Sequence, residues 1–282
     1  MKYSLLKYGR PQPLKALFLA IVLFWTLFPI YWMLSLSIRS NAELTAKLSI
    51  MPHSFTFSHF VSLFKFKHIG NSIVNSLQVA LVSLAIAVCA GVPCAYIFSR
   101  ARFAFRLKKA GILWVLLLRV LPPIAFAIPL YVMMNRIGLL GTKIPIVLSH
   151  ILLNIPFIIW YLVSFFANQP KELEESAKID GAGEWTVFLK IILPLILPGL
   201  AAVLILTFMT SWNEYLYGVI FVQKSDHYTV PLILATLNSE QELAQWGNIA
   251  AGGVLSVIPV SLFVLFAQTY LIKGLAGGAV KG

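Results

Sequence analysis

The acidic side chains of this chain are concentrated in one short connector between long apolar runs. Five of the ten Asp and Glu residues fall within residues 172–184, namely Glu172, Glu174, Glu175, Asp180 and Glu184. Such carboxylates suit metal binding or proton transfer, but the five histidines and two cysteines are scattered and complete no ligand set. We therefore predict no metal site and no catalytic cluster, and the connector needs another explanation.

A second polar set lies near the end of a later apolar run. Trp212, Asn213, Glu214 and Tyr215 combine an aromatic plate with hydrogen-bonding groups, which is the chemistry that binding a sugar requires. Two other interpretations stay open for these residues. They can form an aromatic belt at a membrane–water interface, or they can pack against another protein.

Arg119 and Asn154 are polar residues inside two further apolar runs. Arg119 lies beside Pro122 and Pro123, which should break or kink a helix. A charge deep in a membrane is costly unless it is paired or hydrated. Arg119 is therefore a candidate for a pore or gate, with a structural ion pair or a carbonyl cap as the alternative. Asn154, just before Pro156, is a lesser candidate for the same path.

The composition indicates that most of the surface faces lipid. Hydrophobic residues make up 59% of the 282 residues and charged ones only 11%, whereas a soluble domain has about 25% charged residues. The net charge of +12 does not indicate nucleic-acid binding, because the basic residues lie mainly at the edges of apolar segments. Six segments are long enough to span a membrane as helices, which predicts an all-α membrane protein: 15–38, 71–99, 110–135, 144–166, 195–222 and 247–272.

Basic residues predict the orientation of these spans. The N-terminus, the tail and the connectors 100–109 and 167–194 carry fourteen Lys and Arg residues, against seven on the opposite side. Because basic residues favour the cytoplasmic side, both termini are predicted to lie in the cytoplasm. The first span, 15–38, is interpreted as uncleaved, since its charge-free run is too long for a signal peptide.

The acidic connector 167–194 is then a cytoplasmic loop with a helix–turn–helix pattern. Its first helix is predicted to begin near Pro170 and to end at Gly181, with two pairs at i,i+4 spacing, Lys171–Glu175 and Glu174–Lys178. A second helix is predicted from Glu184 to Leu193. Its apolar residues share one face that suits a membrane interface or a groove on a partner protein: Trp185, Phe188, Leu189 and Ile192.

The spacing within this loop resembles the EAA motif of ABC-importer permeases, E-A-A-x3-G-x9-I-x-L-P. The matching residues are Glu175, Ser176, Ala177, Gly181, Ile191, Leu193 and Pro194, and Ser176 is the one departure, a small residue in place of the first Ala. Asp180 and Ala182 also match the D-G-A core of the sugar-transporting branch. In that family the loop is the coupling helix, which sits in a cleft of an ATPase subunit.

Further segments resemble the carbohydrate, MalG-like branch of these permeases, including RVLPPIAFAIPLY, SWNEYLYGVIF and the ending KGLAGGAVKG. The resemblance implies a six-helix, type I ABC-importer (MetI-like) permease fold in one domain spanning 1–282. Within it, 15–38 is the first span, about 70–272 the core and 273–282 a tail. It also implies a location in a bacterial or archaeal plasma membrane.

The resemblance further implies a subunit that works within an assembly. The partners would be two ABC ATPase subunits, a second and different permease (MalF-like), and an extracytoplasmic solute-binding protein that delivers a sugar. The chain is not expected to be an enzyme, because it has no phosphate-binding G-x-x-x-x-G-K-[ST] sequence. It needs no cofactor of its own, since ATP and Mg would bind the ATPases. The alternative is an ion-coupled secondary carrier that works without an ATPase.

Overall fold

A computed structural model describes residues 13–46, 49–100, 105–239 and 245–279. These residues form helices and connecting turns and include no β-strand, which confirms the all-α prediction. By their contacts, the described residues divide into two compact units. The first holds those within 1–67 and 236–255, and the second holds those within 68–235 and 256–282.

The first unit contains a long helix followed by two short ones: α1 (Pro13–Ser37), α2 (Asn41–Thr45) and α3 (Ser58–Lys65). The fully buried Arg39 organises the connection after α1. Its Nη2 donates to Ser35 Oγ at 2.8 Å and to the Ser49 carbonyl at 2.8 Å. Glu43 accepts from the backbone N–H groups of His53 and Ser54 at 3.0 and 2.9 Å. Polar contacts therefore give this connector a defined conformation.

The second unit contains most of the helices. In chain order they are α4 (Ile69–Arg100), α5 (Phe105–Val120), α6 (Pro123–Arg136), α7 (Ile144–Ala167), α8 (Glu172–Ile179), α9 (Glu184–Leu195), α10 (Leu197–Trp212) and α11 (Leu216–Phe221). Two later helices, α12 (Val230–Ser239) and α13 (Gln245–Ala279), contribute residues to both units.

The α4–α7 contact is the centre of the second unit. Small residues of α4, Ser83, Ala87 and Gly91, are buried, so that the two helices approach closely. A Cβ placed on Gly91 would lie 2.9 Å from Ile158 Cγ2 of α7. Small residues permit such close approach where no hydrophobic force drives helices together in lipid.

Four of the described helices are long and apolar enough to cross a membrane: Pro13–Ser37, Ile69–Arg100, Ile144–Ala167 and Trp246–Leu265. Two bent pairs accompany them. Lys109–Val120 meets Pro123–Arg136 at 87°, and Glu184–Leu195 meets Leu197–Trp212 at 78°. The number rises to six if each bent pair is one span; six spans and the orientation of the termini stay predictions.

Two of the predicted spans differ from continuous helices. The span 110–135 is broken beside Pro122 and Pro123, as these prolines predict, because proline lacks the N–H that continues a helix. The segment 195–222 does not form one helix either, since α10 ends at Trp212 and a separate helix begins at Leu216. There Glu214 Oε1 accepts from the backbone N–H of Tyr217 at 2.9 Å, which satisfies a donor at the new helix start.

Candidate functional site

The first helix of the acidic loop, α8, ends at Ile179, and Gly181 just beyond it acts as the stop that the sequence predicts. Gly181 has φ +84°, a conformation that favours glycine. The N–H of Ala182 donates to the Ala177 carbonyl at 2.9 Å, and the N–H of Gly181 donates to that of Lys178 at 3.0 Å. These two bonds form a Schellman motif, which closes the helix and fixes the direction of the following chain.

The residues of the EAA motif divide into an outer and an inner set. Glu175, Ser176, Asp180, Gly181 and Pro194 are exposed. Ala177 is buried, and Ala182, Ile191 and Leu193 are half-buried against the apolar core below the loop. The motif therefore combines a polar outer surface with small and apolar residues that fasten the loop to the helices beneath it.

The charges of α8 pair differently from the i,i+4 prediction. Glu174 is buried, and its Oε1 lies 2.6 Å from Arg100 Nε at the end of α4. Lys178 Nζ instead lies 2.6 Å from Glu184 Oε1 at the start of α9. The predicted Glu174–Lys178 pair is therefore wrong, because Glu174 points inward to α4. In the sequence, Arg100 lies where the second predicted span meets the most basic connector. This position could have indicated a buried basic partner for Glu174.

The second helix of the loop, α9, contains a π-helical turn at Val187–Ile192. Phe188 and Ile192 are buried, but Trp185 and Leu189 are 68% and 52% exposed. The predicted single apolar face is therefore wrong. A π turn has more residues per turn than an α-helix, so Val187 takes a place on the buried side and Leu189 turns outward.

Tyr96 of α4 contacts both helices of the loop. Its hydroxyl donates to Glu174 Oε2 of α8 at 3.0 Å. Its ring centroid lies 4.9 Å from that of Phe188 in α9 and 5.5 Å from that of Phe166 in α7. A cavity of about 480 Å³ opens beside this contact. Arg100 and five charged residues of the loop line it, the latter being Lys171, Glu174, Glu175, Lys178 and Glu184.

Arg119 and Asn154 both contact α7 or belong to it. The exposed Arg119 guanidinium lies 4.3 Å from the ring centre of Phe157 and 5.3 Å from that of Trp160, which is cation–π geometry. The buried Asn154 donates from Nδ2 to Ser211 Oγ of α10 at 2.9 Å. Both polar groups therefore have specific partners along the spans.

The residues 212–215 do not gather into one pocket. Trp212 is only 1% exposed, and its indole N–H donates to the Ser256 carbonyl at 3.2 Å. Asn213 and Tyr215 are exposed, while Glu214 Oε2 lies 3.3 Å from His150 Nε2 of α7. The His150–Glu214 and Asn154–Ser211 contacts lie one turn apart on α7. They join α7 to α10 and to the residues just after α10. The sequence indicated Glu214 and Asn154 but not His150.

No metal centre is found within the described part of the chain, since no three His, Cys, Asp or Glu residues there are arranged to hold an ion. Apolar helices long enough to cross a membrane, with an acidic helix–glycine–helix loop packed against their ends, define an α-helical multi-pass membrane protein.

Comparison with known proteins makes the class specific. Residues 87–277 match the family described as binding-protein-dependent transport system inner membrane component. The chain belongs to this family of ABC transporter permeases. The trehalose transport system permease protein SugB of Mycobacterium tuberculosis is 32% identical over 93% of this chain and 95% of its own length. The diacetylchitobiose uptake system permease protein DasC of Streptomyces coelicolor is 31% identical over 100% of both. These relatives confirm the resemblance to the carbohydrate branch.

The fold is also that of a solved transporter. A chain from the crystal structure of a bacterial ABC transporter involved in the import of the acidic polysaccharide alginate superposes with a TM-score of 0.78. The match covers 94% of this chain and 99% of that chain at 22% identity. The type I importer permease fold is thereby confirmed.

Proposed function

We propose that this chain is a transmembrane permease subunit of an ATP-driven ABC importer for a sugar, polyol or oligosaccharide. The family membership supports import that depends on a binding protein, and relatives named for trehalose and diacetylchitobiose support a carbohydrate as the solute. The subunit lines half of the translocation path, and a second, MalF-like permease lines the other half. Two ATPase subunits, which carry ATP and Mg, complete the assembly in a bacterial or archaeal plasma membrane.

The exposed surface of the acidic loop is the observation that supports coupling to an ATPase. Ile179 is 86% exposed and Trp185 is 68% exposed, beside the exposed Glu175 and Asp180. Large apolar side chains next to charges are typical of a helix that enters a groove on a partner protein. The same loop lies on the predicted cytoplasmic side, where an ATPase would bind. The side of the loop that faces the membrane-length helices is already packed against them, so docking uses the opposite, exposed side.

The solute path is proposed along the polar groups of the spans. Arg119, Asn213, Glu214 and Tyr215 are exposed or half-buried and offer hydrogen bonds or an aromatic surface to a hydroxylated solute. The buried Asn154 contributes to the shape of the path through its bond to Ser211. Trp212 is buried and its N–H already donates to the Ser256 carbonyl, so we assign it a structural role beside the path and no direct contact with the solute.

A pull-down with a matched pair of glycine variants tests the docking role of the loop. Gly181→Asp places a carboxylate on the proposed docking surface, and a Cβ there meets no heavy atom within 4 Å. Asp tolerates positive φ better than most residues, so the variant should fold. Gly138→Asp is the control, because Gly138 has φ +70° and equally empty surroundings but lies outside the loop.

The tagged chain is purified from its native host in mild detergent, and the co-purifying ATPase is quantified. We expect Gly181→Asp to retain the second permease but to lose the ATPase about tenfold or more, while Gly138→Asp keeps it. Equal ATPase recovery from both variants would refute docking through the loop. Wild-type chain that co-purifies with no ATPase, and that supports uptake driven by an ion gradient, would favour the secondary carrier instead.

A further inference from the structure

Tyr96, Arg100 and Glu174 form a cluster, here named the anchor cluster, between the end of α4 and the acidic loop. Arg100 contacts the Glu174 carboxylate through Nε at 2.6 Å. Its Nη2 donates to the Gln169 carbonyl, in the chain that leads into α8, at 2.8 Å. Tyr96 donates its hydroxyl to the second oxygen of Glu174 at 3.0 Å. The cluster thus holds α8 and the chain before it from one turn of α4.

Stability alone does not account for an ion pair at this position. The side chains of Arg100 and Glu174 are only 9% and 10% exposed, so both charges have lost most of their hydration. For such a pair the desolvation cost offsets much of the attraction, and an apolar pair of similar size often stabilises a fold equally well. Removing one partner is nevertheless damaging, because the other charge is left buried. A pair of this kind constrains geometry more than it contributes stability.

The geometry that the cluster constrains includes both arms of the loop. Tyr96 and Arg100 are four residues apart and therefore lie on the same face of α4. That face reaches α8 through Glu174, and the Tyr96 ring packs against Phe188 in the π-helical turn of α9. The exposed Lys178–Glu184 pair ties α8 to α9 on the outside. The two loop helices are thereby connected to each other and to one end of one span.

We propose that Tyr96, Arg100 and Glu174 are positioning residues that make the acidic loop and the end of α4 move as one body. The proposal rests on the proposed function, because the movement in question is the one an attached ATPase imposes on the loop. Without the anchor cluster, the ATPase still binds the outer surface of the loop, but its nucleotide-dependent movement no longer reaches α4.

Hydrogen exchange of the whole transporter tests this assignment. Complexes purified through a tag on this chain are placed in lipid nanodiscs, and amide exchange is followed in 172–179 and 90–100 with and without Mg²⁺ and a non-hydrolysable ATP analogue. The variant is Glu174→Gln, which removes the charge and keeps the size. The matched control is Glu172→Gln, the same change at an exposed position of the same helix.

We expect Glu174→Gln to keep its ATPase within about twofold and to exchange in 172–179 about tenfold faster than wild type, since local opening becomes easier. The nucleotide-dependent change in 90–100 should disappear. Tyr96→Phe, which keeps the ring but loses one hydrogen bond, should show a smaller effect in the same direction. Glu172→Gln should match wild type in both segments.

Two results would overturn the proposal. One is exchange in Glu174→Gln that equals wild type in both segments, with the nucleotide response intact. The other is loss of the ATPase from Glu174→Gln, which would show that the anchor cluster is needed for docking itself and not for the transmission of movement. The proposed function has its own test, since it fails if Gly181→Asp keeps its ATPase. The faster exchange expected in 172–179 does not depend on the partner, so the two failures can be told apart.

Discussion

Replacement of Gly91 by valine should separate the two helices on which the acidic loop rests. Gly91 faces Ile158 across the α4–α7 contact, and an added Cβ would lie 2.9 Å from Ile158 Cγ2 and 3.1 Å from Ile158 Cβ. Ile158 is fully buried, at 0% exposure, so its side chain has no free space into which to turn. Relief of the overlap therefore requires movement of a helix.

The cost follows from two opposing effects. Overpacking of a well-packed core costs about 1–3 kcal/mol, and the two extra methyl groups of valine place it toward the upper part of that range. Valine is the better helix former by about 0.3 kcal/mol. The net loss is about 2 kcal/mol, which lowers the unfolding temperature of a chain of this size by about 4–8 °C.

The assay is the fraction of monodisperse protein that remains after heating, measured by size-exclusion chromatography at one heating rate in one detergent. The control is Ala90→Val, which places valine at an exposed position of the same helix and should lower the midpoint by only about 1–2 °C, because valine is a weaker helix former than alanine by about 0.6 kcal/mol. A second variant, Ile158→Ala, removes the opposing methyl group and by itself costs about 2–5 kcal/mol.

The double variant separates steric overlap from other causes. In the double variant, valine at position 91 fills the space that Ile158 leaves. Its loss of stability should therefore be smaller than the sum of the two single losses by about 1–3 kcal/mol. Strict additivity, or an unchanged midpoint for Gly91→Val, would show that the helices do not approach as closely as the structure has them.

Two further predictions concern polar contacts. Hydrogen bonds from Ser54 and His53, with Arg39 nearby, lower the pKa of Glu43 from 4.5 to about 2. Because the pKa is lower in the folded state, the contribution of Glu43 to stability is complete above about pH 4.5 and is lost as the pH falls toward 2. Proteolysis of the 40–56 connector should accelerate in that window for wild type, and Glu43→Gln should remove this pH dependence; a wild-type profile that stays flat would contradict the assignment. Asn154→Leu should remove a hydrogen bond worth about 0.6 kcal/mol, at most about 1.7, and a double-mutant cycle with Ser211→Ala measures it; zero coupling would show that the bond does not form.

Uninterrupted apolar runs predicted the long helices well. The segments 71–99 and 144–166 agree with α4 and α7 to within two residues at each end, even though Pro93 and Pro156 lie inside these helices. Prolines and glycines that interrupt or end helices were equally informative. Pro122 and Pro123 predicted the break between α5 and α6, and Gly181 predicted the end of α8.

Contacts between distant parts of the chain set the features that the sequence did not predict. Glu174 has a basic neighbour at i,i+4 spacing, yet the structure pairs it with Arg100 of another helix. The end of α10 at Trp212 depends on the side chain of Glu214 bonding to the next helix start. Neither choice is visible in local periodicity, because both depend on which helices pack together.

The π-helical turn at Val187–Ile192 sets the direction in which the residues before it face, because it contains one residue more than a regular α-helical turn. Deleting one residue there would restore a regular α-helix and rotate the preceding residues by about 100° about the helix axis. Trp185, now 68% exposed, would leave the outer surface together with its neighbours. The number of residues in this turn therefore determines which side chains of the preceding helix are exposed, even where their identity is unchanged.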